Sequence, residues 1–161
     1  MPCISLNYHY QAHSYDSIKH YEGVTIYADD GTVINNFPKQ HIANGKAKNI
    51  STNFYYKKMV RIMKKIRYLM SEKGYSSADK VSSFGVESLL WNIPDSYFMR
   101  HEAYGFKFME IVSYVFYHKD DLLYYYEANG IKKLCPTQED INNYSIFIDD
   151  LYLFYKFDYN S

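Results

Sequence analysis

Two rhythms of apolar residues divide the chain. Residues 3–9 (CISLNYH) and 23–28 (GVTIYA) alternate apolar and polar positions, the period-two pattern of strands with one buried face. Asp29-Asp30-Gly31-Thr32, between GVTIYA and VINNF, carries the residues that tolerate a tight reversal and predicts a hairpin turn. After Pro38 the period lengthens. Met59, Ile62, Met63, Ile66, Leu69 and Met70 fall at i, i+3, i+4, i+7, i+10 and i+11, the spacing of an amphipathic helix. Asn53 is expected to cap its start, and Gly74, after Glu72-Lys73, to take the left-handed position beyond its end.

Residues 82–92 (SSFGVESLLWN) open with a serine cap and carry Phe84, Val86, Leu89 and Leu90 before Pro94, which predicts a short, largely buried helix. Residues 97–117 are dense in apolar side chains and predict another central helix, with Gly105 the candidate interruption. Asn129-Gly130 places a loop or short hairpin within 122–134, and Pro136 to Asp140 resembles the N-terminus of a last helix reaching about Phe157. The pattern is α+β and mainly helical: a short antiparallel β element at the N-terminus, then a helical bundle.

Composition narrows the function classes. At 161 residues with 47% hydrophobic and 22% charged residues, the chain has enough material for one well-buried domain, expected to span 1–161, and is not a disordered polymer. Cys3 and Cys135 are too few for a disulfide framework and lack zinc-ligand spacing, so small core residues in a reducing, cytoplasmic protein are the expectation. No apolar run reaches the ~20 residues that a membrane-crossing helix needs. The six histidines show no metal-ligand spacing and read as surface or locally hydrogen-bonded residues. Asp29 and Asp30 read as turn chemistry.

Eighteen basic and eighteen acidic side chains cancel, yet they are unevenly placed. From Gly31 to Ser71 there is no Asp or Glu, while Lys39, Lys46, Lys48, Lys57, Lys58, Arg61, Lys64, Lys65 and Arg67 lie there. At ~100° per residue, Lys57, Lys58, Arg61, Lys64 and Lys65 cluster opposite the Met59/Ile62/Met63/Ile66 stripe. Like charges at i,i+4 cost a helix ~0.2–0.5 kcal/mol each, so a face this uniform points to an anionic partner more than to a solvated surface. Residues 36–46, rich in donors, read equally as a ligand-contacting loop or as a plain connector; the P-loop spacing is absent. A buried Glu87 on the short helix would need a partner, for which the basic helix is one source.

NFPKQHIANGKAKNISTN, YYKKMVRIMKKIR, SSFGVESLLWNIPD and YEANGIKKLCPTQ, in that order, resemble bacterial cGAS/DncV-like nucleotidyltransferases over nearly the whole chain. The likeness is to the C-terminal part of such an enzyme. It implies that residues 1–36 hold strands of a nucleotidyltransferase core and that residues 37–161 form a helical substrate-binding region. In the family, which includes oligoadenylate synthetases, an Arg and a Lys on a spine helix approach the donor triphosphate; here these are Arg61 and Lys64, with Lys57 on the same face. A Ser-Ser-aromatic group contacts phosphate and stacks on a base, which implies Ser82, Ser83 and Phe84.

The family's Gly-Ser motif and magnesium-holding carboxylates have no counterpart in the sequence, so no catalytic or metal-ligating residue is expected in this chain. Magnesium is implied only for a complete enzyme. Tyr55 departs from the Arg that often precedes Tyr-Lys-Lys in the family. The expectation is therefore an N-terminally truncated nucleotidyltransferase, inactive alone, that retains nucleoside triphosphate binding. Its parent activity would be synthesis of cyclic or linear oligonucleotide signals in anti-phage defence, with a missing or separately encoded catalytic half as partner. The alternative is a stand-alone nucleotide- or RNA-binding module.

Overall fold

The computed structural model describes the backbone of residues 3–11 and 18–158 and the side chains of 21–156. Strands β1 (Cys3–Gln11), β2 (Ile18–Tyr27) and β3 (Val33–Asn36) form an antiparallel sheet in that order. Tyr27 pairs with Val33 at the predicted turn, where Gly31 takes φ +84° and Asp30 Oδ1 accepts the Thr32 N–H at 2.9 Å. β2 begins earlier than the alternating run suggests, because pairing with β1 extends it to Ile18.

Six α-helices follow among the described residues: α1 (Pro38–Ser51), α2 (Tyr55–Glu72), α3 (Ser77–Lys80), α4 (Ser83–Trp91), α5 (Tyr104–Tyr117) and α6 (Gln138–Leu153). The fold is the expected mainly helical α+β arrangement. Met59, Met63, Ile66 and Met70 of α2 are buried against Val86, Leu89 and Leu90 of α4, Ile111 and Val115 of α5, and Phe147, Ile148 and Leu151 of α6. No helix among the described residues is long and apolar enough to cross a membrane. Cys135 is a buried core thiol, pushed up to about 12 by desolvation; the Cys3 side chain lies outside the described set.

Three sequence expectations are corrected. Residues 36–46 are neither ligand loop nor connector: Pro38 stands at the first position of α1, where its missing N–H costs nothing and its fixed φ favours the turn. Asn53 does not cap α2. The chain instead reverses through Asn53 and Phe54, both at positive φ, and α1 supplies the caps: Thr52 Oγ1 accepts the Tyr56 N–H and Asn49 Oδ1 the Lys57 N–H, each at 3.1 Å. The helix expected over 97–117 is divided by residues 99–103, between a 3-10 turn (Asp95–Phe98) and α5. Gly105 lies inside α5 and interrupts nothing.

Other signals hold. Gly74 ends α2 at φ +87°, and Ser82 caps α4 by accepting the Gly85 N–H at 2.9 Å. Thr137 and Asp140 form a reciprocal capping box at the start of α6. Asn129-Gly130 makes a tight reversal, with Gly130 at φ +69° and Asn129 Oδ1 accepting the Ile131 and Lys132 N–H groups. This loop links α1 to α4: Asn44 donates to the Ala128 carbonyl at 2.9 Å, and the Ala128 N–H donates to Ser88 Oγ at 3.0 Å.

Candidate nucleotide-binding site

The site grows from the meeting of α1, α2 and α4. α4 is short and apolar on its buried side, so its first turn faces outward while Val86, Leu89 and Leu90 hold it in the core. α2 is tied to it by the Tyr56 hydroxyl, which donates to the Glu87 carbonyl at 2.9 Å. Gly45 of α1 faces the same carboxylate: a Cβ there would stand 3.8 Å from Glu87 Oε1, an ordinary contact, while a larger side chain would enter the carboxylate's space.

Glu87 is the junction. Its carboxylate accepts from Lys64 Nζ at 3.0 Å and stands 3.4 Å from His41 Nε2. The hydrogen bond from His41 is the largest influence on its acidity; partial burial opposes it, and the bond and charge of Lys64 add to it, leaving the carboxyl at about 2. Glu87 is thus ionised at neutral pH. His41 also stacks on Phe84, with ring centroids 4.5 Å apart and planes 24° from parallel. These rings, with Asn36, Phe37, Pro38 and Ile42, line a cleft of about 380 Å³.

Each residue singled out in the sequence has a definite place. Phe84 is exposed and lines the cleft. Ser82 and Ser83 are exposed at the N-terminus of α4, and the Ser82 oxygen is engaged as the cap. Lys57, Arg61 and Lys64 occupy successive turns of one face of α2, within about 60° on the helical wheel. Lys64 is joined to the cleft through Glu87 and His41, whereas the lining of the cleft contains neither the serines nor the three basic side chains.

The carboxylate-free stretch is less uniformly cationic in three dimensions. Lys39 pairs with Glu22, and Lys48 with Asp95 and the Ile93 carbonyl. Lys58 donates to the Tyr104 hydroxyl, and Arg67 donates to the Val81 carbonyl. Among the described residues, Lys57 and Arg61 have no ion-pair partner. His41 is the site residue that sequence reasoning missed: it is neither on the surface nor locally bonded, because its partner lies 46 positions away. The one pointer was a donor-rich segment, without a direction.

No group of three His, Cys, Asp or Glu residues that could hold a metal ion comes together among the described residues. The implied magnesium therefore finds no fitting ligand set among the described residues.

Known proteins give this geometry its context. The cGAS/DncV-like nucleotidyltransferase C-terminal helical domain matches residues 43–156. The cyclic GMP-AMP synthase CdnE03 of Staphylococcus schleiferi is 43% identical over 135 residues, covering 84% of this chain and 42% of the relative. The cyclic dipyrimidine nucleotide synthase CdnE of Cecembia lonarensis is 30% identical over 139 residues, covering 79% and 46%. The chain thus spans about half the length of these relatives. In structure it resembles the Elizabethkingia meningoseptica CdnE cyclic dinucleotide synthase with GTP and Apcpp. The TM-score is 0.80 at 27% identity over 96% of this chain and 56% of the other. The Rhodothermus marinus CdnE c-UMP-AMP synthase with Apcpp and Upnpp gives a TM-score of 0.74 at 29% identity, over 93% and 52%. With its spine helix, serine-capped neighbour and connecting loops all accounted for, the chain belongs to the cGAS/DncV-like nucleotidyltransferases and carries their C-terminal helical domain.

Proposed function

We propose that this chain is the nucleoside triphosphate-gripping part of a cyclic nucleotide synthase. Joined to a nucleotidyltransferase half, in the same polypeptide or a separate one, it would serve synthesis of an oligonucleotide signal in anti-phage defence. The observation that carries this reading is the joining of the basic face of α2 to the Phe84-lined cleft through Lys64, Glu87 and His41. Phe84 offers an aromatic face for a base, and the row of cations on α2 offers phosphate contacts linked to it through Glu87 and His41. Arg61 and Lys64 hold the triphosphate and Lys57 extends the row. Ser83 adds a hydroxyl at a helix N-terminus, where first-turn N–H groups also favour phosphate. Ser82 contributes mainly by fixing that N-terminus, and Phe84 stacks on the base. The chain alone does not catalyse on this reading, because phosphoryl transfer needs metal-held charge neutralisation that its described residues do not supply.

Calorimetric titration with nucleoside triphosphates tests the proposal. Saturable one-to-one binding, weakened about tenfold or more by Arg61→Ala, is expected from loss of a charge-assisted contact. Heat unaffected by Arg61→Ala and Lys64→Ala would overturn it. Affinity that grows with RNA length and falls steeply with salt would favour the RNA-binding module instead.

A further inference from the structure

The geometry points to a competitor for phosphate built into the site: we infer that the Glu87 carboxylate occupies the Lys64 amine until a polyphosphate displaces it, and so sets the site's affinity. The inference rests on the triphosphate reading above and gives Glu87 a role in affinity which that reading does not assign.

Three observations carry it. Lys64 is the one member of the Lys57/Arg61/Lys64 row with an ion-pair partner among the described residues, and its side chain is one-third exposed. That partial exposure leaves the side chain within reach of a second anion, and the flexible stem lets the amine turn toward it. Glu87 is held in place without Lys64: it sits beside His41 on α1, its backbone carbonyl receives the Tyr56 hydroxyl, and Gly45 leaves room for it. A carboxylate carried on α4 and held by His41 of α1 does not follow Lys64 when the amine moves. Finally, Glu87 stays ionised throughout the neutral range, so its charge holds the amine against an arriving polyanion. Among the described residues, the titratable groups facing Glu87 are His41 from α1 and Lys64 and Tyr56 from α2.

A purely structural Glu87 and a competing Glu87 predict opposite signs. In Glu87→Gln the size is kept and the charge is lost; the amide oxygen still accepts one of the two hydrogen bonds, while the NH2 group donates and cannot accept the other. Tripolyphosphate and ATP, titrated separately into the 161-residue chain at fixed salt, are expected to bind about fivefold tighter to E87Q than to the unsubstituted chain. The gain is expected to vanish in a Lys64→Ala background, because the competition runs through that amine. Equal or weaker binding by folded E87Q, or a gain that persists without Lys64, would overturn the inference. Should E87Q fail to melt cooperatively, Glu87→Asp, which withdraws the charge by one methylene, is expected to give a smaller gain of the same sign, and none would refute it. Binding lost on Arg61→Ala but unimproved by E87Q removes only this inference. Absence of saturable binding in every chain, or indifference to Arg61→Ala, removes the triphosphate reading with it.

Discussion

Gly85 marks how tightly the first turn of α4 is built into the domain. A Cβ at this position would lie 2.1 Å from the Tyr144 hydroxyl oxygen and 3.3 Å from Ser82 Oγ, so the site's serine cap and the α6 tyrosine leave room for hydrogen alone. Tyr144 is buried and cannot simply swing into solvent. Gly85→Ala is therefore expected to destabilise the chain by about 1–3 kcal/mol through overpacking, read as a lower denaturant midpoint. Adding Tyr144→Phe, which removes the clashing oxygen, should recover part of that loss. At this scale the sequence named Phe84, Arg61 and Lys64 but not the histidine that ties Phe84 to Glu87. Glu87 was legible as a carboxylate in need of a cation; His41 was not, since nothing local distinguishes a histidine that will meet a distant glutamate.

At the level of elements, the start of α2 depends on the helix before it. Thr52 is fully buried; its hydroxyl donates to the Lys48 carbonyl at 2.8 Å and accepts the Tyr56 N–H. One side chain thus finishes α1 and begins α2, the helix that carries the basic row. Thr52→Val keeps the shape and leaves both backbone groups without that partner. It is expected to cost about 2 kcal/mol by thermal or chemical unfolding, with Thr52→Ser losing much less. The sequence placed the boundary correctly but gave the cap to Asn53, the standard residue type at the standard offset. The role passes to Thr52 and Asn49 where the chain turns from α1 into α2 through two consecutive positive φ values, which local residue type does not signal. Periodicity likewise joined residues 97–117 into one helix, because an apolar count cannot register the turn at 99–103 that redirects the chain between two packed elements.

For the molecule as a whole, charge distribution governs behaviour in acid. Glu87 titrates near 2 in the folded chain against an ordinary 4.5, so its contribution to stability is complete above about pH 4.5 and is lost as pH falls toward about 2. The thermal midpoint should fall across that interval, and E87Q should show a shallower decline. By itself the sequence determined what depends on local spacing: the α+β order of elements, the apolar stripe of α2, the turns at Gly31, Gly74 and Gly130, the serine cap of α4, and the strings that resemble the family. Only the tertiary structure decided which cations remain available to a ligand. Glu22, Glu87 and Asp95 all lie outside the carboxylate-free stretch, yet they reach Lys39, Lys64 and Lys48 within it. Electrostatic partners are set by distance in space, which folding brings to 3.0 Å for Lys64 and Glu87 across 23 residues of chain.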